Sequence, residues 1–124
     1  MVDLKKDAEA RHQRFLQRVL ETQFVWGLQN AEGWCQAPSN HVEDGRVMPF
    51  WSDRALAAEC ALEEWGVYVP TPIPLEDFLK DWLPGMTAAV MLAGTNWNAD
   101  LVGMELPAEL LSRELTGTVE VEQG

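Results

Sequence analysis

Arg46-Val47-Met48-Pro49-Phe50-Trp51-Ser52-Asp53 passes from an extended apolar run into a helix start within a few residues. Arg46 to Trp51 reads as a strand, and Pro49 places it at an edge or a strand end, because proline offers no amide to a ladder. Ser52 reads as a helix N-cap whose hydroxyl accepts from a first-turn amide. Asp53 favours the positive end of the helix dipole. The helix is expected to run from Asp53 to Trp65, with Ala55, Ala58, Leu62 and Trp65 on its buried stripe and Gly66 as its stop. A strand feeding a helix points to a mixed fold.

Upstream, Leu4 to Thr22 carries Leu4, Ala8, Phe15, Leu16, Val19 and Leu20 at helical spacing, with His12 flanking that face. Gln23 to Gln29 is rich in aromatic and β-branched residues and reads as a strand. A turn at Asn30-Ala31-Glu32-Gly33 returns Gly33 to Gln36 as its partner. Downstream, Val67 to Val69 is extended and Pro70-Thr71-Pro72 breaks it. Pro74 to Leu83 is the clearest helix, with Leu75, Phe78, Leu79, Trp82 and Leu83 on one face and Pro84-Gly85 as its end.

Ala88 to Ala93 reads as a strand buried on both faces, left by a polar loop from Gly94 to Asn98. Pro107 to Leu115 is a last helix. The fold class is α+β: a single domain over residues 1–115, a small mixed sheet covered by about four helices, followed by an acidic tail over 116–124.

The 124 residues include nine Lys and Arg against twenty Asp and Glu, a net charge of −11. Such a charge repels nucleic acid and anionic membrane surfaces and admits a basic protein partner. No apolar run approaches the ~20 residues of a membrane span. The first residues lack the apolar core of a secretory signal, so the expected location is cytoplasmic. Cys35 and Cys60 fit that compartment as buried, reduced thiols.

Motifs for chemistry are sparse. Cys35, His41, Glu43, Asp44, Cys60 and His12 lack paired zinc-ligand spacing, so neither metal nor cofactor is expected. Ser52 has no nucleophile-elbow sequence around it, and Cys60 sits among Ala and Leu. Gly94-Thr95-Asn96 lacks the glycines and lysine of a phosphate loop. No catalytic residue is assigned. What stands out is six tryptophans: Trp26, Trp34, Trp51, Trp65, Trp82 and Trp97. Each is large enough to anchor a core or an interface. Trp34, in a loop-rich stretch, is the one expected at the surface.

The pieces Val25-Trp26-Gly27-Leu28, Pro49-Phe50-Trp51-Ser52, Ala55 and Ala58 before Trp65, Ile73-Pro74-Leu75-Glu76-Asp77-Phe78-Leu79 and Asn96-Trp97 together resemble the bacterial family DUF2750, a domain of unknown function. The likeness runs from about Phe15 to Leu111. Element order is also similar to SseB-type N-terminal domains, an analogy that carries no function. The family resemblance implies a small cytosolic domain of mixed structure and no chemistry.

Two expectations follow. The first is a non-enzymatic, acidic protein-binding module, of an interaction, regulatory or immunity-like kind, anchored by Trp34 with Trp51 or Trp97. The second is a small-molecule or catalytic domain whose pocket is lined by Trp51, Trp65 and Trp97, with Asp53 as its acid and Asn96 as a polar group. The oligomeric state is not legible.

Overall fold

The computed structural model describes residues 4–39 and 42–117. Helix α1 spans Leu4–Thr22, the expected limits. Its buried line is His12, Phe15 and Val19, so the histidine is part of the packed face rather than beside it, while Leu20 is exposed. Strand β1 (Phe24–Asn30) is central in a three-stranded antiparallel sheet, between β2 (Gly33–Trp34) and β5 (Val69–Pro74). The Pro70-Thr71-Pro72 stretch is therefore strand and not a break. Pro70, Pro72 and Pro74 lie opposite Leu28, Trp26 and Phe24 on an edge strand, where missing amides cost no ladder bond.

A second sheet has the order β3 (Ala37–Pro38), β4 (Arg46–Phe50), β6 (Leu92–Thr95) and β7 (Met104–Pro107). Only β4 and β6 run parallel among the described strands. Pro49 is buried in an interior strand, but β3 reaches only Val47 and Arg46, so Pro49 lies beyond its neighbour's end. The two sheets meet at one bridge. Trp26 N–H donates to the Trp51 carbonyl at 2.8 Å, and Trp51 N–H donates back at 2.7 Å.

Helix α2 covers Arg54–Cys60 and buries Ala57 and Cys60, not the Ala55, Ala58, Leu62 and Trp65 stripe. A 3₁₀ turn follows at Glu63–Val67. Glu63 there has a φ of +51°, so the regular helix has already ended. Helix α3, residues 75–88, is longer than expected and contains a π turn at Phe78–Trp82. Leu83 N–H reaches back five residues to the Phe78 carbonyl. Pro84 has no amide for the Lys80 carbonyl, and its ring would clash with that carbonyl in a regular helix. The wide turn absorbs the proline, so Pro84-Gly85 does not end the helix. The apolar face is as expected: Leu75, Phe78 and Leu83 are buried, Leu79 and Trp82 half-buried.

The strand expected at Ala88 to Ala93 begins later, at Leu92. Ala88 ends α3, and Val90 is an exposed turn residue with φ +57°. Helix α4 (Ala108–Thr116) buries Ala108, Leu111 and Leu115 and closes on Gly117, whose left-handed φ of 70° lets its amide return to the Arg113 carbonyl. Thr116 thus belongs to the domain, and residues 118–124 lie outside the described residues.

The described residues form the α+β class with four helices, though the mixed sheet is two linked sheets. Two apolar clusters fill it. One gathers Phe15, Val25, Phe50, Phe78, Leu83 and Leu111; the other gathers Leu28, Cys35, Val47, Trp51, Cys60 and Trp97. Phe50 centres the first, edge-on to Phe78 at 4.8 Å and to Trp82 at 5.9 Å. Phe50→Ala is expected to destabilise the fold by about 3–5 kcal/mol in urea unfolding. A loss below about 1 kcal/mol would place the core elsewhere.

Candidate functional site

The carboxyl ends of the parallel strands β4 and β6 bring most of the expected polar residues together. Asn96 follows β6 with a left-handed φ of +46°, a conformation asparagine tolerates better than most residues. Its Oδ1 accepts from Ser52 N–H at 2.8 Å, and its Nδ2 donates to Ser52 Oγ at 3.1 Å and to the Arg11 carbonyl at 3.3 Å. Ser52 is not the N-cap. Asp53 holds that position, and neither side chain caps the helix. Ser52 Oγ instead donates to Asp53 Oδ2 at 2.8 Å.

Arg18 grips Asp53 Oδ1 through Nη2 at 2.8 Å and Nε at 3.2 Å. Those hydrogen bonds hold the Asp53 carboxyl below its ordinary range, against burial, which acts the other way. The pairing thus stabilises the fold above the ordinary carboxylate range and is lost as pH falls through the lowered value. Asp53 is engaged in binding α1, not offered to a ligand.

The tryptophans divide differently from expectation. Trp51 is fully buried and Trp97 only 2% exposed. Trp51 Nε1 donates to the Trp97 carbonyl and Trp97 Nε1 to the Met104 carbonyl, each at 3.1 Å. The Trp97 ring lies against Gly94 and Gly103, where an added Cβ would approach it within 2.6 and 2.5 Å. Trp51, Trp65 and Trp97 do share one apolar cluster, but Trp51 and Trp97 are packed interior.

Trp34 is half-buried, a correction to its expected surface position. The turn folds β2 back on β1, so its ring covers Gly27 and meets Trp82 edge-on at 4.6 Å.

Trp65 lies in a stretch rich in exposed apolar side chains. It is half-buried in the 3₁₀ turn, edge-on to Tyr68 at 6.4 Å. Around it Leu62, Val67 and Val69 are 61%, 66% and 58% exposed. A hollow of about 250 Å³ beside it is lined by Cys60, Leu62, Trp65 and Leu101 with the acids Glu63, Glu64 and Asp100. Helical spacing placed Leu62 and Trp65 inside. The available signal was Glu63-Glu64 between them, which interrupts any buried continuation.

A hydroxyl–imidazole–carboxylate chain was not foreseen. His12 Nδ1 lies 2.9 Å from Thr95 Oγ1, and His12 Nε2 lies 2.6 Å from Glu114 Oε1. Its order is that of a nucleophile relay, yet the Thr95 hydroxyl is wholly buried. The chain ties α1 to β6 and α4. The signal for it was His12 standing three and seven residues before Phe15 and Val19.

Both cysteines are free and buried. Burial pushes the Cys35 thiol up to about 12 and the Cys60 thiol up to about 11. Cys60 Sγ also lies 3.4 and 3.2 Å from the Trp97 and Asn98 carbonyls, which share its single proton. Such thiols lack the thiolate a nucleophile needs. Among the described residues no three His, Cys, Asp or Glu gather to hold a metal, and His41 lies outside them. Among the same residues no helix is long and apolar enough to cross a membrane.

Fold and site define a small α+β domain whose interior is sealed by aromatic side chains and whose polar clusters hold elements together. The chain belongs to the family described as "Protein of unknown function (DUF2750)", whose model matches residues 12–115, most of its length. Comparison with curated proteins gave no match, and comparison with solved structures gave none.

Native thiol titration tests the sealed interior. Cys35 and Cys60 are expected to resist a thiol reagent at neutral pH and to react together once denaturant unfolds the chain. Raising pH above the ordinary thiol range should destabilise the fold, because the unfolded thiols ionise first. Rapid native reaction of either cysteine would contradict the packing described.

Proposed function

We propose that this chain is a non-enzymatic, acidic protein-binding module that docks a basic protein segment on the surface around Trp65. The observation carrying this reading is the exposed group Leu62, Val67 and Val69 beside the half-buried Trp65. Large apolar side chains exposed close together along the chain are a feature of interaction sites. Glu59, Glu63 and Glu64 stand in or next to that stretch, and Asp100 lines the hollow beside Trp65, all exposed. Aromatic and aliphatic anchors ringed by one sign of charge suit a partner with apolar contacts inside a basic rim. The net charge of −11 would speed encounter with such a partner.

The mode of docking is narrowed by β5. Its open edge carries Pro70, Pro72 and Pro74 at alternate positions, so it presents no outward amide for an added strand. The partner engages side chains, not the sheet edge. Trp34, Trp51 and Trp97 are left to the core, and the anchoring role passes to Trp65. Cytoplasmic residence accords with this reading.

The test is capture from host lysate by wild type and by a Leu62→Ser, Val67→Ser, Val69→Thr variant, at about 50 mM and about 500 mM salt. A basic protein held by wild type at low salt, released at high salt and lost by the variant is the expected result. Capture that the variant retains would refute the surface, and wild-type self-association abolished by the variant would replace the basic partner with a second copy.

A further inference from the structure

A second feature lies on α1. Five of the chain's nine basic residues, Lys5, Lys6, Arg11, Arg14 and Arg18, occupy that one helix. Asp7, Arg11, Gln13, Arg14 and Gln17 line an open groove of about 710 Å³, its one carboxylate held by the Arg11 Nε, and its other walls include Leu56 of α2 and Asn96 at the end of β6. The groove opens outside the carboxyl ends of the parallel pair β4 and β6. In open sheets this is where ligands settle, because the strand ends turn away and leave a crevice.

The two guanidiniums are unequally committed. Arg11 gives its Nε to Asp7 at 3.0 Å, which leaves its two terminal nitrogens without a partner among the described residues. Arg14 makes no hydrogen bond or ion pair among the described residues and acts on Asp53 only through space. Three residues apart on one helix, they face the same groove. Arg18 differs, since Asp53 and Glu21 both occupy it. A guanidinium offers parallel donors that fit the two oxygens of a carboxylate or phosphate. Asn96 adds nothing to the ligand directly, its amide being fully used on Ser52 and Arg11, but it fixes the back wall.

We propose that this groove binds the oxyanion group of a small molecule, a phosphate ester or a carboxylate, between Arg14 and Arg11. Gln13 and Gln17 supply neutral hydrogen bonds, and Leu56 packs against the body of the ligand. The groove shares no lining residue with the hollow beside Trp65, so the proposal stands apart from the protein-docking reading.

Titration of ¹⁵N-labelled full-length protein with inorganic phosphate, and separately with succinate, tests it. Saturable shifts at the amides of Arg14, Leu56 and Asn96 are expected, and Arg14→Gln should weaken the responding anion by about tenfold or more. Saturation by phosphate points to phosphate esters, and saturation by succinate to carboxylates. Arg14 is exposed, so the variant keeps the fold, which unchanged thermal unfolding would verify. Absence of saturable shifts with both anions, or shifts untouched by both Arg14→Gln and Arg11→Gln, would overturn the proposal.

Discussion

Two hydrogen bonds between Trp26 and Trp51 hold the two sheets as one fold. Trp26 stands opposite Pro72 on β5 at a position of the antiparallel ladder where neither residue bonds the other, so the amide and carbonyl of Trp26 point away from β5. They meet Trp51, the residue just past the end of β4. From there the chain is anchored step by step to the end of β6: the Trp51 indole bonds the Trp97 carbonyl, and the next amide, Ser52, bonds the Asn96 side chain. Arg18 and Asp53 then bring α1 onto the same point. Buried polar groups arranged this way demand a partner each. Among the described residues no buried side-chain nitrogen or oxygen lacks one.

Where the sequence could be read, one physical signal dominated locally. Helix α1 and the apolar face of α3 carry long 3.6-residue patterns and were legible nearly to the residue. Failures came where tertiary context overrode local habit. Pro70-Thr71-Pro72 has the composition of a break, yet an edge strand facing away from its neighbour tolerates it. Pro84 looked like a stop, but a π turn removes the clash that makes it one. At α2, Ala, Leu and Cys recur so densely that two different stripes fit, and packing against Trp97 selected Ala57 and Cys60. The short strand β7 carries too few residues between Gly103 and Pro107 for any period to show.

The candidate site was legible in its residue types more than in its geometry. Asp53 and Asn96 do come together, because they follow adjacent parallel strands, but as ties between elements. Tryptophan count could not separate core from surface. Trp51 is enclosed with its indole on a carbonyl 46 residues further on, and Trp97 is enclosed by Gly94 and Gly103 close against its ring. Trp65 is left half-exposed by a helix that ends early. The arginine groove was invisible for a related reason: it needs α1, α2 and the end of β6 side by side, three segments separated by most of the sequence.

Native-state hydrogen exchange of the Trp26 and Trp51 amides tests the central constraint most directly. If this bridge unites the sheets, both amides exchange only by global unfolding, with the same opening free energy as Ile73 in one sheet and Asn96 in the other. Exchange of Trp26 and Trp51 through a lower-energy opening, while Ile73 and Asn96 stay protected, would show that the sheets are held together by something else.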